Sequence, residues 1–324
     1  MKEIIIGTNE AGQRIDKFLR KLWPQSTLGQ IYKFLRTKKI KVNGKKVPPS
    51  YLLIMGDKLE IYSANQEEAS PRKVTIAPES ASQLAVVYED NNLLLVNKPA
   101  GILVHPASPQ DRHTLIQQVL AYLYQKGEYS PEKELTFTPA ACNRLDRNTS
   151  GLVIIAKNFP SLQILNEMIR LGKIDKYYQG LVKGQIHKKG EIKGYLLKDR
   201  QENKVDISSI KKEGAKEIHT VYRPLDANSQ YTLLEIQLIT GRTHQIRAHL
   251  ASLHHPLIGD SKYGSKKIND YFWQNFKLKH QFLHAYKLVF TVAPTPLEYL
   301  KDKVFMAPLP AELDKIRIKI LGQD

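Results

Sequence analysis

The chain alternates between stretches whose apolar residues recur every three to four positions and stretches where they run together. In Gly12 to Leu22, apolar residues at 15, 18, 19 and 22 describe one face of a helix. A second helix is predicted over Gly29 to Arg36, followed by Lys41-Val42-Asn43-Gly44-Lys45, whose Asn-Gly pair signals a hairpin turn. Gly56 to Ile61 closes this first unit. Farther along, Leu84 to Glu89 and Leu93 to Asn97 are short β-rich runs around Asp90-Asn91-Asn92, which reads as another hairpin. More strands are predicted at 152–156, 178–183, 219–223, 231–239 and 286–292, with helices near 113–125, 160–171, 243–253 and 269–276. Strands that cluster without regular βα alternation predict an α+β fold with a mixed, largely antiparallel sheet. No internal repeat or low-complexity tract is evident.

Residues 63–82 break the pattern. They carry Glu67-Glu68, Pro71, Arg72-Lys73 and Pro78 with little apolar periodicity, and they read as a linker. The chain then divides into a small module over 1–64, a linker over 65–82 and a larger domain over 83–324, a division that suits its 324 residues. Charge sharpens the division. The whole chain carries 49 Lys and Arg against 32 Asp and Glu, a formal net charge of +17, and the first 64 residues hold 13 and 5 of these. The module is therefore a small α/β unit that is basic as a whole, and a protein so basic is drawn to a polyanion by counterion release. Nucleic acid fits better than a membrane surface, because no run of about 18 apolar residues, signal peptide or lipidation motif is present. The single cysteine, Cys142, excludes an internal disulfide framework and suits a reducing compartment, so a cytoplasmic location is expected.

Chemistry concentrates in two segments. Cys142-Asn143-Arg144-Leu145-Asp146-Arg147-Asn148-Thr149-Ser150-Gly151 sets the carboxylate of Asp146 between two guanidinium groups, and nearby cations favour the ionised acid. Thr149-Ser150-Gly151 reads as a turn into the apolar run Leu152 to Ala156. In Thr240 to Leu250, Gly241 permits a tight turn and Thr243 is the expected N-cap of a helix carrying Gln245, Ile246, Arg247, His249 and Leu250. No metal site is expected: His244 and His249 are five apart and His254-His255 adjoin, so neither pair has the spacing of a zinc-binding helix face.

The Cys142 to Gly151 segment resembles the His-Arg-Leu-Asp-x-x-Thr-Ser-Gly signature of the RluA family of pseudouridine synthases. Four further segments agree in order and spacing. They are Val96-Asn97-Lys98-Pro99-Ala100-Gly101-Ile102-Leu103-Val104-His105-Pro106, Lys176 to Gly184, Thr240 to Leu250 with Gly259-Asp260 and Tyr263-Gly264 beyond, and Leu283-His284-Ala285. The sequence is similar to the RluC and RluD branches, and it departs from the signature where Asn143 stands in place of the usual histidine. The resemblance implies a long mixed sheet with a cleft across its middle and a reaction that requires no cofactor. It implies that Asp146 is the catalytic carboxylate, as nucleophile or as base, and that Arg247 pairs with it. By the same resemblance Tyr178 packs on the target uracil and Arg144 fills the space the base leaves, while Lys98-Pro99-Ala100-Gly101 reads as a rigid turn from which Lys98 is expected to reach RNA phosphate.

Residues 12 to 62 resemble the small RNA-binding module of ribosomal protein S-four and bacterial tyrosyl-tRNA synthetases, in their order of helix, helix and hairpin. That resemblance assigns phosphate contacts to Arg14, Lys17, Lys33, Arg36, Lys38 and Lys39, which position RNA without reading its sequence. The expected partner is structured RNA, large-subunit ribosomal RNA first and transfer RNA as the rival, with no DNA partner and a monomeric chain. A non-catalytic ribosome-assembly factor that keeps the fold is the alternative, and the joint presence of Asp146, Tyr178 and Arg247 argues against it.

Overall fold

The computed structural model describes residues 1–62, 84–108, 110–198 and 205–322, so the linker expected at 65–82 lies outside the described residues. The predicted helical stripe near the amino terminus forms α1 (Ile15–Leu22), which buries Ile15, Phe18, Leu19 and Leu22. Helix α2 (Leu28–Arg36) opens on a reciprocal cap: the Thr27 hydroxyl accepts from Gln30 N at 3.3 Å, and the Gln30 side chain accepts from Thr27 N at 2.7 Å. Both pack on a three-stranded antiparallel sheet in the order β1 (Lys2–Ile5), β3 (Lys58–Ile61), β2 (Ile40–Val42). The Asn43-Gly44 turn is present, with φ of 51° and 75°. No full strand returns beside β2 directly after it, because Pro48 and Pro49 lack the amide protons a ladder needs; β3 takes that place.

The larger sheet has eleven strands. It contains β4 (Val86–Glu89), β5 (Leu93–Lys98), β6 (Ala140–Ala141), β7 (Ser150–Ala156), β8 (Ile174–Lys183), β9 (Gly190–Lys198), β10 (Val205–Ser208), β11 (Lys216–Ala227), β12 (Tyr231–Leu238), β13 (Leu283–Phe290) and β14 (Val304–Met306). The order is β10-β9-β11-β12-β8-β13-β7-β5-β4, with β14 added to β13 and β6 to β7. The Asp90 carboxylate closes the β4–β5 hairpin by accepting from the amides of Asn92 and Leu93 at 2.7 and 2.8 Å. Among the described strands, pairing is antiparallel except between β13 and β7, where His284 lies opposite Ser150 and Ala285 opposite Gly151. Gly151 has φ of 118°, and a Cβ there would fall 2.2 Å from the Ala285 carbonyl oxygen, so only glycine lets the two strands meet. The mixed, largely antiparallel α+β architecture is the one the spacing predicts.

The continuous apolar runs are explained by burial of both sheet faces. Alternate residues of β5 and β7, Leu94, Val96, Val153 and Ile155, join α3 (Leu115–Gln125) and α5 (Gln245–Ser252) in one core that also holds Tyr178. Their neighbours Leu93, Leu95, Leu152 and Ile154 face the other way and pack with α4 (Phe159–Arg170). A third cluster joins Leu181 and Leu233 to α6 (Lys266–Phe276) and α7 (Ala311–Leu321). The amino-terminal unit touches this body through Asn9, which donates to the Glu134 carboxylate at 3.0 Å and accepts from Phe159 N at 3.0 Å.

Candidate active site

The loop before β7 is held at both ends by side chains that imitate backbone. The amide of Asn143 donates to Leu152 O at 3.2 Å and accepts from Ile154 N at 2.8 Å. Asparagine thus fills the position of the family histidine with two contacts to the strand the loop feeds. At the other end, Thr149 N bonds to Asp146 O at 3.1 Å, and Gln281 donates to the Thr149 hydroxyl at 3.1 Å. The Ser150 hydroxyl lies 2.8 Å from His284 Nδ1, while His284 Nε2 faces the Ala307 carbonyl at 3.2 Å. A carbonyl can only accept, so His284 carries its proton on Nε2 and accepts from Ser150. Leu145 is buried, which turns Arg144 out to solvent and leaves Asp146 half-buried beside it.

Helix α5 brings the cation. Arg247 Nη1 donates to Asp146 Oδ2 at 3.1 Å, while its Nε and Nη2 clasp Asp260 at 2.7 and 2.9 Å. Asp260 is fully buried. Burial works against its charge, but Arg247 and the amides of Tyr263 and Lys262 outweigh it and hold the carboxyl below its ordinary value. Arg247 is itself raised although burial opposes it, through Asp260 first and then Asp146. Among the described residues, no donor is bonded to Asp146 Oδ1. One oxygen is therefore anchored and the other keeps its acceptor capacity unused.

The helix start corrects one expectation. Thr243 is not the N-cap: His244 stands there with φ of 56°, a left-handed conformation that cannot continue a helix backwards, and α5 begins at Gln245. The turn is closed instead by the Gln245 side chain, which accepts from Arg242 N at 3.0 Å and from the Thr240 hydroxyl at 2.9 Å. Lys98 is a second correction. It is fully buried and its ammonium donates to the carbonyls of Pro99, Ile102 and Arg147 at 2.8 to 3.0 Å, so it has no path to an RNA phosphate. Burial pushes Lys98 down to about 7, against the pull of Asp146. Its role is to pin the carbonyl of the residue after the acid. Tyr178, buried on β8, lies close enough to Asp146 that burial first and the carboxylate second push its phenol above the ordinary range.

Comparison with known proteins places the chain in a family. A family model described as RNA pseudouridylate synthase matches residues 92–252, and an S4 domain model matches residues 13–59. The chain is 34% identical over 310 residues to an uncharacterized RNA pseudouridine synthase of Mycoplasma capricolum, covering 94% of this chain and 97% of that one. It belongs to the RNA pseudouridine synthases. It is also 33% identical over 296 residues to ribosomal large subunit pseudouridine synthase C of Escherichia coli, covering 90% and 89% of the two chains. The structure of human RNA pseudouridylate synthase domain containing 4 shares the fold, with a TM-score of 0.56 at 20% identity, over 74% of this chain and 95% of that one.

In this pseudouridine synthase the S4 unit presents Lys17, Lys33, Arg36, Lys38 and Lys39 to solvent, the last four at the end of α2 and in the turn after it. Arg14 is also exposed, but its guanidinium rests on the buried Asp16 at 2.7 and 3.1 Å. Burial pushes the Cys142 thiol up to about 12, which disfavours the reactive thiolate. Among the described residues, no group of three His, Cys, Asp or Glu side chains is arranged to hold a metal, and no helix is long and apolar enough to cross a membrane. Two groups carry more of the site than their residue types suggest, Asp260 and His244. Asp260 stands in a motif, yet only its depth, next to the apolar pair Leu257-Ile258, could have marked it as the anchor of Arg247.

Proposed function

We propose that this enzyme isomerises specific uridines of large-subunit ribosomal RNA to pseudouridine, with Asp146 as the reacting carboxylate. The observation that carries the reading is the asymmetry of that carboxylate, with Oδ2 held by Arg247 and Oδ1 open. In the reaction the bond from N1 to the ribose C1′ breaks and a bond from C5 to C1′ forms. C5 loses a proton and N1 gains one, so the product is an isomer and no oxidant or energy source enters. Asp146 serves as nucleophile towards C1′ or as base towards a ribose proton. A stacked uridine must first leave its helix, at a cost of about a few kcal/mol. Exposed Arg144, two residues from the acid, fills the gap with a planar head that stacks and hydrogen bonds. Tyr178 packs on the extruded uracil. The basic unit before residue 63 holds the RNA by its phosphates, without reading sequence.

Ribosomal RNA is favoured because the Escherichia coli relative, aligned over nine-tenths of both chains, is named for the large subunit. The test is pseudouridine mapping of total RNA by carbodiimide-dependent reverse-transcription stops. Cells with the gene deleted are complemented by wild type or by Asp146→Asn. Large-subunit sites lost on deletion and restored by wild type alone are the expected result. Sites confined to transfer RNA would overturn the substrate, and sites restored by Asp146→Asn would overturn the role of the acid.

A further inference from the structure

His244 sits at the elbow between β12 and α5, in a stretch of sequence whose histidines lack metal-binding spacing. Its side chain is nearly buried, with Nε2 4.0 Å from Asp146 Oδ2 and Nδ1 3.1 Å from the Tyr263 hydroxyl. That hydroxyl also accepts from Val205 N, the first residue of β10, at 3.0 Å. These contacts fix where the imidazole proton lies. With the amide of Val205 donating to the phenol oxygen, the phenol's own proton is available to Nδ1, the acceptor beside it. An Nε2 lone pair aimed at an anionic oxygen would be repelled, whereas an N–H there is attracted. Both arguments give the same neutral tautomer, with Nδ1 accepting and Nε2–H directed at the carboxylate.

We propose that His244 is a positioning residue for Asp146, whose Nε2–H closes on Oδ2 when RNA fills the cleft and so holds Oδ1 towards the ribose. This rests on the reading of Asp146 as the reacting carboxylate. At 4.0 Å the contact is longer than a hydrogen bond, and contacts of this kind tighten in the substrate complex. With Arg247 Nη1 on the same oxygen, the carboxylate would be fixed by two donors from one helix start, which sets rotation as well as distance. The left-handed backbone at His244 is what aims the ring, and such strain gathers at sites where position matters. The relay also ties the edge strand β10 to the acid through Val205, Tyr263 and His244. The groups acting on the imidazole are Asp146, Arg247, Lys262 and Asp260, with the Tyr263 phenol against Nδ1. Burial first, then Arg247 and Lys262, keep it neutral against the pull of the two carboxylates.

The experiment compares full-length wild type, His244→Ala, His244→Gln, Tyr263→Phe and Asp146→Asn. Each is assayed under single-turnover conditions on large-subunit RNA transcripts labelled with tritium at uracil C5, with RNA affinity measured in parallel. His244→Ala is expected to slow the reaction by about 10²-fold, the effect of misplacing a reacting group by about 1 Å, with unchanged affinity. His244→Gln, whose amide nitrogen replaces Nε2, is expected to recover most of the rate. Tyr263→Phe removes the proton that keeps Nδ1 an acceptor. Its rate is expected to fall several-fold with RNA affinity unchanged, because Nδ1 can then carry the proton and leave an Nε2 lone pair facing Oδ2. A wild-type rate for His244→Ala with an inactive Asp146→Asn would overturn the inference and leave the reading of the acid intact. An active Asp146→Asn would overturn that reading itself. A parallel loss of RNA affinity in His244→Ala would make the histidine an RNA contact instead. If His244→Ala fails to fold, the rates of His244→Gln and Tyr263→Phe decide, and a wild-type rate for Tyr263→Phe would reject the proposal.

Discussion

Two carboxylates of this enzyme each have an arginine beside them, and they differ in what is left over. Glu235 faces away from Ile236 on β12 and is only 8% exposed. It accepts from Arg223 at 2.5 Å, from the Tyr286 hydroxyl and from Lys287 at 3.2 Å, so both oxygens are filled. Burial favours its neutral form, yet these donors hold it below the usual carboxylate range. Asp146 is 27% exposed and is anchored through one oxygen only. A cavity of about 380 Å³ lies on the Glu235 side, lined by Gln179, Leu233, Tyr286 and Met306, while Asp146, Arg247 and Tyr178 are absent from its walls. An ion pair therefore does not mark a reacting acid. What sets Asp146 apart is a carboxylate anchored through one oxygen with the other acceptor unused among the described residues, and the proposed reacting role rests on that asymmetry.

The largest expected contrast is in turnover. Asp146→Asn should lower the single-turnover rate by more than about 10³-fold with RNA affinity within a few fold, as for a group that itself reacts. Glu235→Gln should keep the wild-type rate, and tritium release from C5-labelled RNA measures both. Equal losses in the two variants would break the comparison. Stability should order the sites differently. Asp260→Ala strips a buried arginine of its main partner and should cost about 3–5 kcal/mol in urea unfolding. Glu235→Gln, which keeps an amide in the same network, should cost about 1–3 kcal/mol.

Acid titration gives a smaller effect with a defined sign. The folded Glu235 carboxyl is depressed, so its stabilisation is complete above the ordinary carboxylate value and is lost as pH falls through the depressed one. Unfolding free energy measured from pH 7 downward should therefore drop less steeply in Glu235→Gln than in wild type. The smallest effect concerns exposed charges at the end of α2 and in the turn after it. Replacing Lys33, Arg36, Lys38 and Lys39 by alanine should flatten the salt dependence of RNA binding by about 0.7–0.9 in log–log slope for each RNA phosphate left without its cation, and should not alter the rate of bound RNA. An unchanged slope would remove α2 from the RNA-binding surface.

Much of the fold is legible in the sequence because β5 and β7 bury both faces and α1 buries one stripe, patterns that depend only on local spacing. Helix α7 is not legible: Leu313 and Ile316 alone are buried, and its lysines and arginine blur the stripe. Strands β9 and β10 escape sequence reading too, since β10 is the edge strand and β9 its neighbour, where half-exposed residues give a weak pattern. In the site, Asp146 stands out by its two arginines, while its pairing with Arg247 across 101 positions comes only from resemblance. Lys98 misleads because a lysine in a loop is ordinarily solvated, and only the three converging carbonyls show why this one turns inward. His244 stands inside the Thr240 to Leu250 segment, but spacing alone does not show that a left-handed backbone turns its ring towards Asp146.

The one parallel pairing of the described strands has a consequence for when the enzyme becomes competent. The S4 unit draws its sheet and helices from residues 2–61, so all its partners have left the ribosome early in synthesis. The loop of Asp146 leads into β7, and β7 gains its parallel neighbour only when β13, Leu283–Phe290, has been made. Translation between those points takes roughly 10–50 s. During that interval every residue of the basic amino-terminal unit has been made, while the loop of Asp146 still leads into a strand that lacks its parallel neighbour.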